Sequence, residues 1–500
     1  MELTGIVQSL EHKTILVTGA AGFLAKIFIE KVLRVQPNIK RLYLLLRAPD
    51  TESAVERLHK EVIGKQVFRI LREKYGAGLD SFISEKVTMV AGDIACEDLD
   101  IDDASDLREE MWREIDIIVN IAATTKFDER YDVSLSVNTM GAKHVLSFAK
   151  RCVKLQMLLH VSTGYVAGEQ AGTILEKPFK MGETLNGIPG LDIEQELKLV
   201  EEKLKELRAL GASKETETDA MKDLGLNRAR IYGWPNTYVF TKALGEMLLG
   251  RQFRENLPLV IIRPTIITST YREPFPGWIE GLRTTDSLFV GYGKGRITFF
   301  LGDPDSIIDV IPGDMVVNAM IVVMAAHANQ CGEFIYQVGS SLRNPAKFAL
   351  LQDYCYQYFS KHPWIDKDGK PIKIGKVTIF NTMDSFHKYM AIRYMLPLKA
   401  LQLLNMATCQ YLQSIYNNLS RKIDFVMRLV ELYEPYLFFK GVFDDLNLEK
   451  LRIAMEDAAE KNMFCIDPKC VDWEDYFLNI HLPGLIRYVF QMTTPEIGKL

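Results

Sequence analysis

The chain has 500 residues, 48% of them hydrophobic and 25% charged, with a formal net charge of −5 and a pI near 6.0. That is the balance of a folded globular protein with chain enough for a large core and more than one domain, and it excludes a general nucleic-acid binder. Seven dispersed cysteines without a Cys-x-x-Cys pair, the nearest being Cys465 and Cys470 with no zinc-like spacing to His481, lead us to expect reduced thiols and no structural metal.

In chain order, the first element is an apolar strand at Ile15 to Val17 that runs into Gly19-Ala20-Ala21-Gly22 and opens a helix from Phe23 to Val35. Neither an apolar core nor an Arg/Ser-rich leader precedes it, so no cleaved leader is expected. A strand that ends in a glycine turn at a helix N-terminus gathers free backbone N–H groups and the positive end of the helix dipole at one point, which suits a pyrophosphate. The backbone of Gly19, Ala21, Gly22, Phe23 and Leu24 is the candidate phosphate cradle, with Gly19 for the turn and Gly22 for close approach. Ala25 takes the third, packing position. An ordinary strand–turn–helix is the competing reading of the same glycines.

The second strand, Arg41 to Leu46, ends at Arg47. This is where a dinucleotide fold meets the adenosine ribose, and an arginine there pairs with a 2′-phosphate, favouring NADPH over NADH. A charged helical segment spans Glu52 to Tyr75. A third strand from Lys86 to Ala91 delivers Asp93, either to the adenine amino group or as a cap on its own turn. Ile115 to Asn120 is the fourth strand, and the small Ala122 and Ala123 behind it let the backbone approach a cofactor. Asn138 to Lys150 is a helix and Met157 to Val161 the fifth strand, closed by Ser162 and Thr163, hydroxyls placed toward the ligand crevice or serving only as turn formers. Alternating strands and helices predict an α/β, Rossmann-type doubly wound parallel sheet.

An insertion follows, from about Glu169 to Arg230. Leu197, Val200, Leu204 and Leu207 give its run from Asp192 to Leu210 one apolar helical face, the face of a lid, a partner surface or a solvated helix. Tyr238 and Lys242 stand four residues apart at the start of the next helix and so face the same way. A lysine beside a phenol is expected to lower its pKa and fit Tyr238 to transfer a proton. Leu259 to Arg263 is a sixth strand. The stretch from Thr268 to Gly295, rich in Gly, Pro and aromatics, is the loop chemistry of a substrate pocket. Ile307 to Ile311 is apolar, Asp314 to Ala326 a helix and Ile335 to Gly339 a further strand. Residues 1–370 thus form the cofactor-binding domain with substrate-binding insertions, and 371–500 a helical C-terminal domain. Within the latter, His387 to Tyr433 is helical, dense in Leu, Met and Tyr and broken once by Pro397. Such a surface packs as a core, lines an acyl pocket or touches a membrane. No apolar run reaches the 18 or so residues of a spanning helix.

The glycine turn, the Val161-Ser162-Thr163 strand end and the Tyr238/Lys242 pair together resemble the extended short-chain dehydrogenase/reductases. The stretches Gly19 to Lys26, Asn120 to Glu129 and Tyr238 to Lys242, with Phe443-Asp444-Asp445-Leu446-Asn447 near the C-terminus, resemble the plant branch of the alcohol-forming fatty acyl-CoA reductases and their C-terminal male sterility domain. The resemblance implies NADPH as cofactor and a long-chain acyl-CoA reduced through an aldehyde to a primary alcohol. It also implies peripheral contact with the endoplasmic reticulum membrane on its cytosolic face. By position it assigns Thr163 the hydroxyl beside the substrate carbonyl, Tyr238 the acid, and Lys242 the tuning of Tyr238 and the nicotinamide ribose. Gly164 stands where that family usually has Ala, and is expected to loosen the strand end carrying Thr163. The alternatives are a reductase that stops at the aldehyde, an extended dehydrogenase acting on a sugar or steroid, and a cofactor-binding scaffold. Oligomeric state is not legible.

Overall fold

The computed structural model describes residues 3–102, 106–297, 299–366 and 368–490. Its centre is a seven-stranded sheet of β1 (Thr14–Thr18), β2 (Arg41–Leu46), β3 (Val87–Ala91), β4 (Ile117–Asn120), β5 (Met157–Val161), β6 (Leu259–Pro264) and β7 (Glu333–Val338). The strands lie in the order β7-β6-β5-β4-β1-β2-β3, every pair parallel. Every residue of β1, β4, β5 and β6 is buried, as expected for strands covered on both faces, which read as continuous apolar runs. The chain reverses its direction of travel between β1 and β4, which opens a crevice at their carboxyl ends.

Helices α1 (Phe23–Val35), α2 (Gly141–Arg151), α3 (Ile193–Ala209), α4 (Lys214–Ile231), α5 (Thr237–Leu249) and α6 (Gly313–His327) clothe the sheet and its insertion. The apolar face of α3 is packed: Val200 and Leu207 are buried in a cluster with Tyr131, Met221 and Phe240. Glu196, on the same helix, is buried between Arg228 and the Tyr131 hydroxyl, 2.8 Å away. No residue of the insertion lines the crevice.

The expected charged helical segment from Glu52 to Tyr75 is a series of short helices and turns, with Thr51–Arg57 and Arg69–Tyr75 as its α-helical ends. Gly64 closes the first part, its N–H donating to the His59 carbonyl at 2.8 Å. The apolar run at Ile307 to Ile311 divides between two small sheets, one antiparallel with Ala346–Lys347 and one parallel with Ile266–Thr268.

Beyond residue 370 the chain has two parts by packing. Helices α7 (Leu396–Ala407) and α8 (Gln413–Leu437) form a hairpin over a cluster around Leu301, Phe386 and Met390. Pro397 does not break this region. It falls in the first turn of α7, directly after a widened turn at Ala391–Met395, so helix runs from Met383 to Ala407 without interruption. From residue 441 the chain returns to the first domain: Gly441–Phe443 pairs parallel with Gly172–Ile174 in a separate two-stranded sheet, and Leu451, Phe464, Trp473 and Leu485 join the main core.

Candidate active site

The turn after β1 is built by local backbone demand. Gly19 has φ +67°, and a Cβ there would lie 2.7 Å from the Ala122 Cα, so only glycine fits. Gly22 opens α1, and a Cβ on it would meet only the Gly19 carbonyl, at 3.1 Å. The first turn of α1 carries no acidic side chain to compete for its N–H groups, and Ala25 is fully buried beneath it. Thr18 ties this turn to β4: its hydroxyl accepts from the N–H of Ile121 (3.1 Å) and of Ala122 (3.2 Å) and donates to Asn120 Oδ1 at 2.7 Å.

Each candidate cofactor and catalytic residue named from the sequence lines one crevice of about 610 Å³: the Gly19–Leu24 cradle, Arg47, Asp93, Ala122, Ser162, Thr163, Tyr238 and Lys242. Asp93 Oδ1 accepts from the Ala95 N–H at 3.0 Å, the turn cap of its two readings, and the residue also lines the crevice, as the adenine reading requires. Arg47 is exposed at the rim. Arg57, which sequence reading passed over as one charge among many, stands beside it, donating to the Arg47 carbonyl and forking onto Glu61.

At the other end of the crevice, Thr163 caps the short turn Gly164–Ala167 and accepts from the Tyr165 N–H at 3.3 Å. Asn236 caps α5 by accepting from the Val239 N–H at 3.1 Å, which fixes Tyr238 in the first turn and Lys242 one turn on. Burial pushes the Tyr238 phenol up to about 12, while its hydrogen bond with Thr163 and the charge of Arg283 pull the other way. The phenol is therefore a protonated donor.

Lys242 does not act on Tyr238 as expected. Its Nζ turns toward β5, 2.8 Å from the Val161 carbonyl and 3.2 Å from His160 Nε2. Burial pushes the amine down to about 8, opposed by Glu246 one turn further along α5. His160 is wholly buried and held well below its ordinary pKa by that burial and by Lys242. The Thr18 hydroxyl already accepts two N–H groups, so its proton goes to Asn120 Oδ1. The amide NH₂ of Asn120 then faces His160 Nδ1 at 3.0 Å, and the Lys242 amine stands at Nε2 on the other side of the ring. A continuous chain, Thr18–Asn120–His160–Lys242, thus runs from the phosphate turn to the catalytic helix.

Sequence reading also missed Arg283. It lines the crevice, lies over the Phe23 ring at 4.5 Å, and is the cation whose charge reaches Tyr238. Its only signal was its place in the Gly/Pro/aromatic stretch marked as pocket-forming.

A family model described as male sterility protein matches residues 17–320, and a second of the same description matches 393–492. The chain is 56% identical over 491 residues to the alcohol-forming fatty acyl-CoA reductase of Simmondsia chinensis, covering 98% of this chain and 99% of that one. This chain belongs to the fatty acyl-CoA reductases.

It is also 55% identical over 489 residues to fatty acyl-CoA reductase 1 of Arabidopsis thaliana, covering 97% of this chain and 99% of that protein. Among solved structures, the reductase domain of a non-ribosomal peptide synthetase from Mycobacterium tuberculosis superposes with a TM-score of 0.54 at 16% identity, covering 98% of this chain and 96% of that one. The terminal reductase domain of the myxalamid pathway gives 0.53 at 18% identity, covering 92% and 87%. At those identities the likeness shows a shared fold.

The cofactor of this reductase is NADPH, and the crevice fits it. The glycine cradle admits no Cβ at Gly19, the buried Ser162 hydroxyl has no hydrogen-bond partner among the described residues, and Arg47 stands at the rim beside the end of β2. Arg47→Ala is expected to weaken NADPH by roughly 1.5–3 kcal/mol, the range of a charge-assisted hydrogen bond, and to leave NADH nearly unchanged. Titrating both cofactors checks this, and equal weakening would remove Arg47 from 2′-phosphate recognition.

Gly164 is not loose. A Cβ there would lie 3.0 Å from the Phe443 ring, which packs over the strand end and holds it. Gly164→Ala should cost about 1–3 kcal/mol in unfolding free energy, the usual range for overpacking, and Phe443→Leu in the same chain should recover part of it.

Proposed function

We propose that this reductase converts a long-chain acyl-CoA into the primary alcohol and free CoA by two successive reductions in one crevice. The observation that carries the reading is the pairing of the Thr163 hydroxyl with the protonated Tyr238 phenol at one end of a dinucleotide-shaped cleft. NADPH, when bound, supplies the hydride for each reduction. The Gly19–Leu24 cradle, Arg47, Ser162 and Lys242 are the residues that would hold it.

Reduction of the thioester carbonyl places negative charge on its oxygen, where Thr163 and Tyr238 donate. Preorganised donors of this kind are worth about 10²–10³ in rate each. The resulting hemithioacetal collapses by breaking its C–S bond, releasing CoA as the thiol and leaving an aldehyde. On the second pass the aldehyde oxygen meets the same two donors, and Tyr238 gives the proton that completes the alcohol. The decisive experiment counts cofactor against product. Two NADPH oxidised per alcohol, with little aldehyde trapped by a hydrazine, is the expected result. One NADPH per product with free aldehyde accumulating would make the chain an aldehyde-forming reductase.

A lipid substrate also supports peripheral attachment to a membrane, on the cytosolic face of the endoplasmic reticulum, through the α7/α8 hairpin. Leu396, Leu403, Leu404, Met406, Tyr411 and Ile415 are exposed there, an apolar face of the kind that lies in a bilayer interface. Among the described residues no helix is long and apolar enough to cross a membrane. The protein should float with phospholipid vesicles and be released by alkaline carbonate, and Leu403→Asp with Met406→Asp should abolish flotation. Flotation unchanged in that variant would move the contact elsewhere.

A further inference from the structure

A second cavity, of about 880 Å³, lies between the helical hairpin and residues 287–301. Its walls are side chains such as Leu398 and Leu401 of α7, Val426 and Val430 of α8, and Phe299 and Phe300. Phe425 and Leu429 in its lining are exposed, so the space opens to solvent along the hairpin, and a concave apolar space of this size is of the kind that binds a ligand.

It is joined to the catalytic end by apolar side chains. Leu288, Phe300, Tyr433 and Leu437 line both the chamber and a narrow gap of about 40 Å³, whose opposite wall includes Tyr165 and Tyr436. Tyr165 lies two residues beyond Thr163, and the Tyr436 hydroxyl accepts from the amide of Asn236, the residue that caps α5. Phe127 completes the link, its ring centroid 6.2 Å from that of Tyr238, 5.2 Å from Tyr433 and 5.0 Å from Tyr436. The route thus begins at the carbonyl donors, passes a neck of aromatic rings and ends in a room with an apolar wall.

We propose that this chamber holds the tail of the acyl chain and that its α8 wall sets the chain length the enzyme accepts. The proposal rests on the acyl-CoA reading above. A carbonyl held at Thr163 and Tyr238 leaves a run of methylenes with no polar atom to satisfy, and the aromatic neck leads into a chamber lined chiefly by apolar side chains, with Arg296, Arg393 and Lys422 also in its lining. The neck is narrower than the chamber, so the rings of Tyr433 and Phe300 must part to admit a chain.

The test is chain-length selectivity in two variants. Val426→Trp narrows the chamber and should lower kcat/KM for octadecanoyl-CoA by roughly 10-fold or more while leaving octanoyl-CoA close to the parent value, since a methylene refused by an apolar pocket is worth about 10–200-fold. Leu401→Ala enlarges it and should shift preference toward longer chains. Loss on both substrates alike in the first variant, with no shift in the second, would overturn the chamber. Binding of a fluorescent long-chain fatty acid separates this from the reading it rests on. If the parent protein reduces no acyl-CoA but binds the probe, and Val426→Trp abolishes that binding, the chamber stands and the reaction assignment fails. If the parent protein does not bind the probe, the chamber fails.

Discussion

Tyr238→Phe is expected to bind NADPH as the parent protein does and to turn over about 10²-fold or more slowly on both acyl-CoA and added fatty aldehyde, the usual loss when a general acid is removed. The expectation follows from a phenol that burial pushes up to about 12 and that therefore carries its proton across the physiological range. Phe keeps the ring and its stacking on Phe127 but can give no proton to the oxygen. Thr163 remains as one donor, so residual activity should survive and fall further in the Thr163→Val, Tyr238→Phe double variant. Full activity on either substrate would remove Tyr238 from that step, and aldehyde reduction spared while thioester reduction fails would mean separate donors for the two passes.

The second large effect concerns stability. Glu246 and Arg263 form a buried pair, 2% and 3% exposed, with Nε–Oε1 at 3.1 Å and Nη2–Oε2 at 2.5 Å. Glu246→Ala leaves the guanidinium buried without its counter-charge, which typically costs about 3–5 kcal/mol of folding free energy. Replacing both partners, as Glu246→Leu with Arg263→Met, should recover most of that loss. The same carboxylate lies one turn from Lys242 and raises its pKa against burial, which brings the amine down to about 8. Without Glu246 the lysine loses its proton at a lower pH, so the alkaline limb of the kcat/KM profile should move toward acid. Denaturant unfolding and the pH profile of Glu246→Ala measure the two effects. A cost under about 1 kcal/mol would contradict the buried-pair account, and an unmoved limb would show that this limb does not report Lys242.

What the sequence made legible was what neighbours in the chain determine. Gly19 and Gly22 are informative because a tight turn and a helix start impose their conformations within a few residues. Tyr238 and Lys242 share a face because helical geometry puts residues four apart together. The strands stood out as unbroken apolar runs because both faces of the sheet are covered. The direction in which Lys242 points was not legible, since the Val161 carbonyl and His160 lie on another element. Arg283 reaches the site from a distant loop and Phe443 from a distant strand, and no local pattern announces that either lies there. Pro397 misled for a related reason: a widened turn absorbs the hydrogen bond that proline cannot make, and widening leaves no composition signal.

The cover over Gly164 has a consequence for how the enzyme is made. The catalytic turn belongs to β5, but the ring that holds it comes from residue 443, on a strand paired with residues 172–174. At ribosomal speeds of roughly 5–20 residues per second, the turn is synthesised tens of seconds before its clamp. The phosphate turn and the β4 end it is tied to both precede residue 164, while Thr163 stays unclamped until the chain closes back on itself. The catalytic strand end is therefore finished only when the C-terminal segment has docked, so truncation before residue 443 should remove the clamp on Thr163.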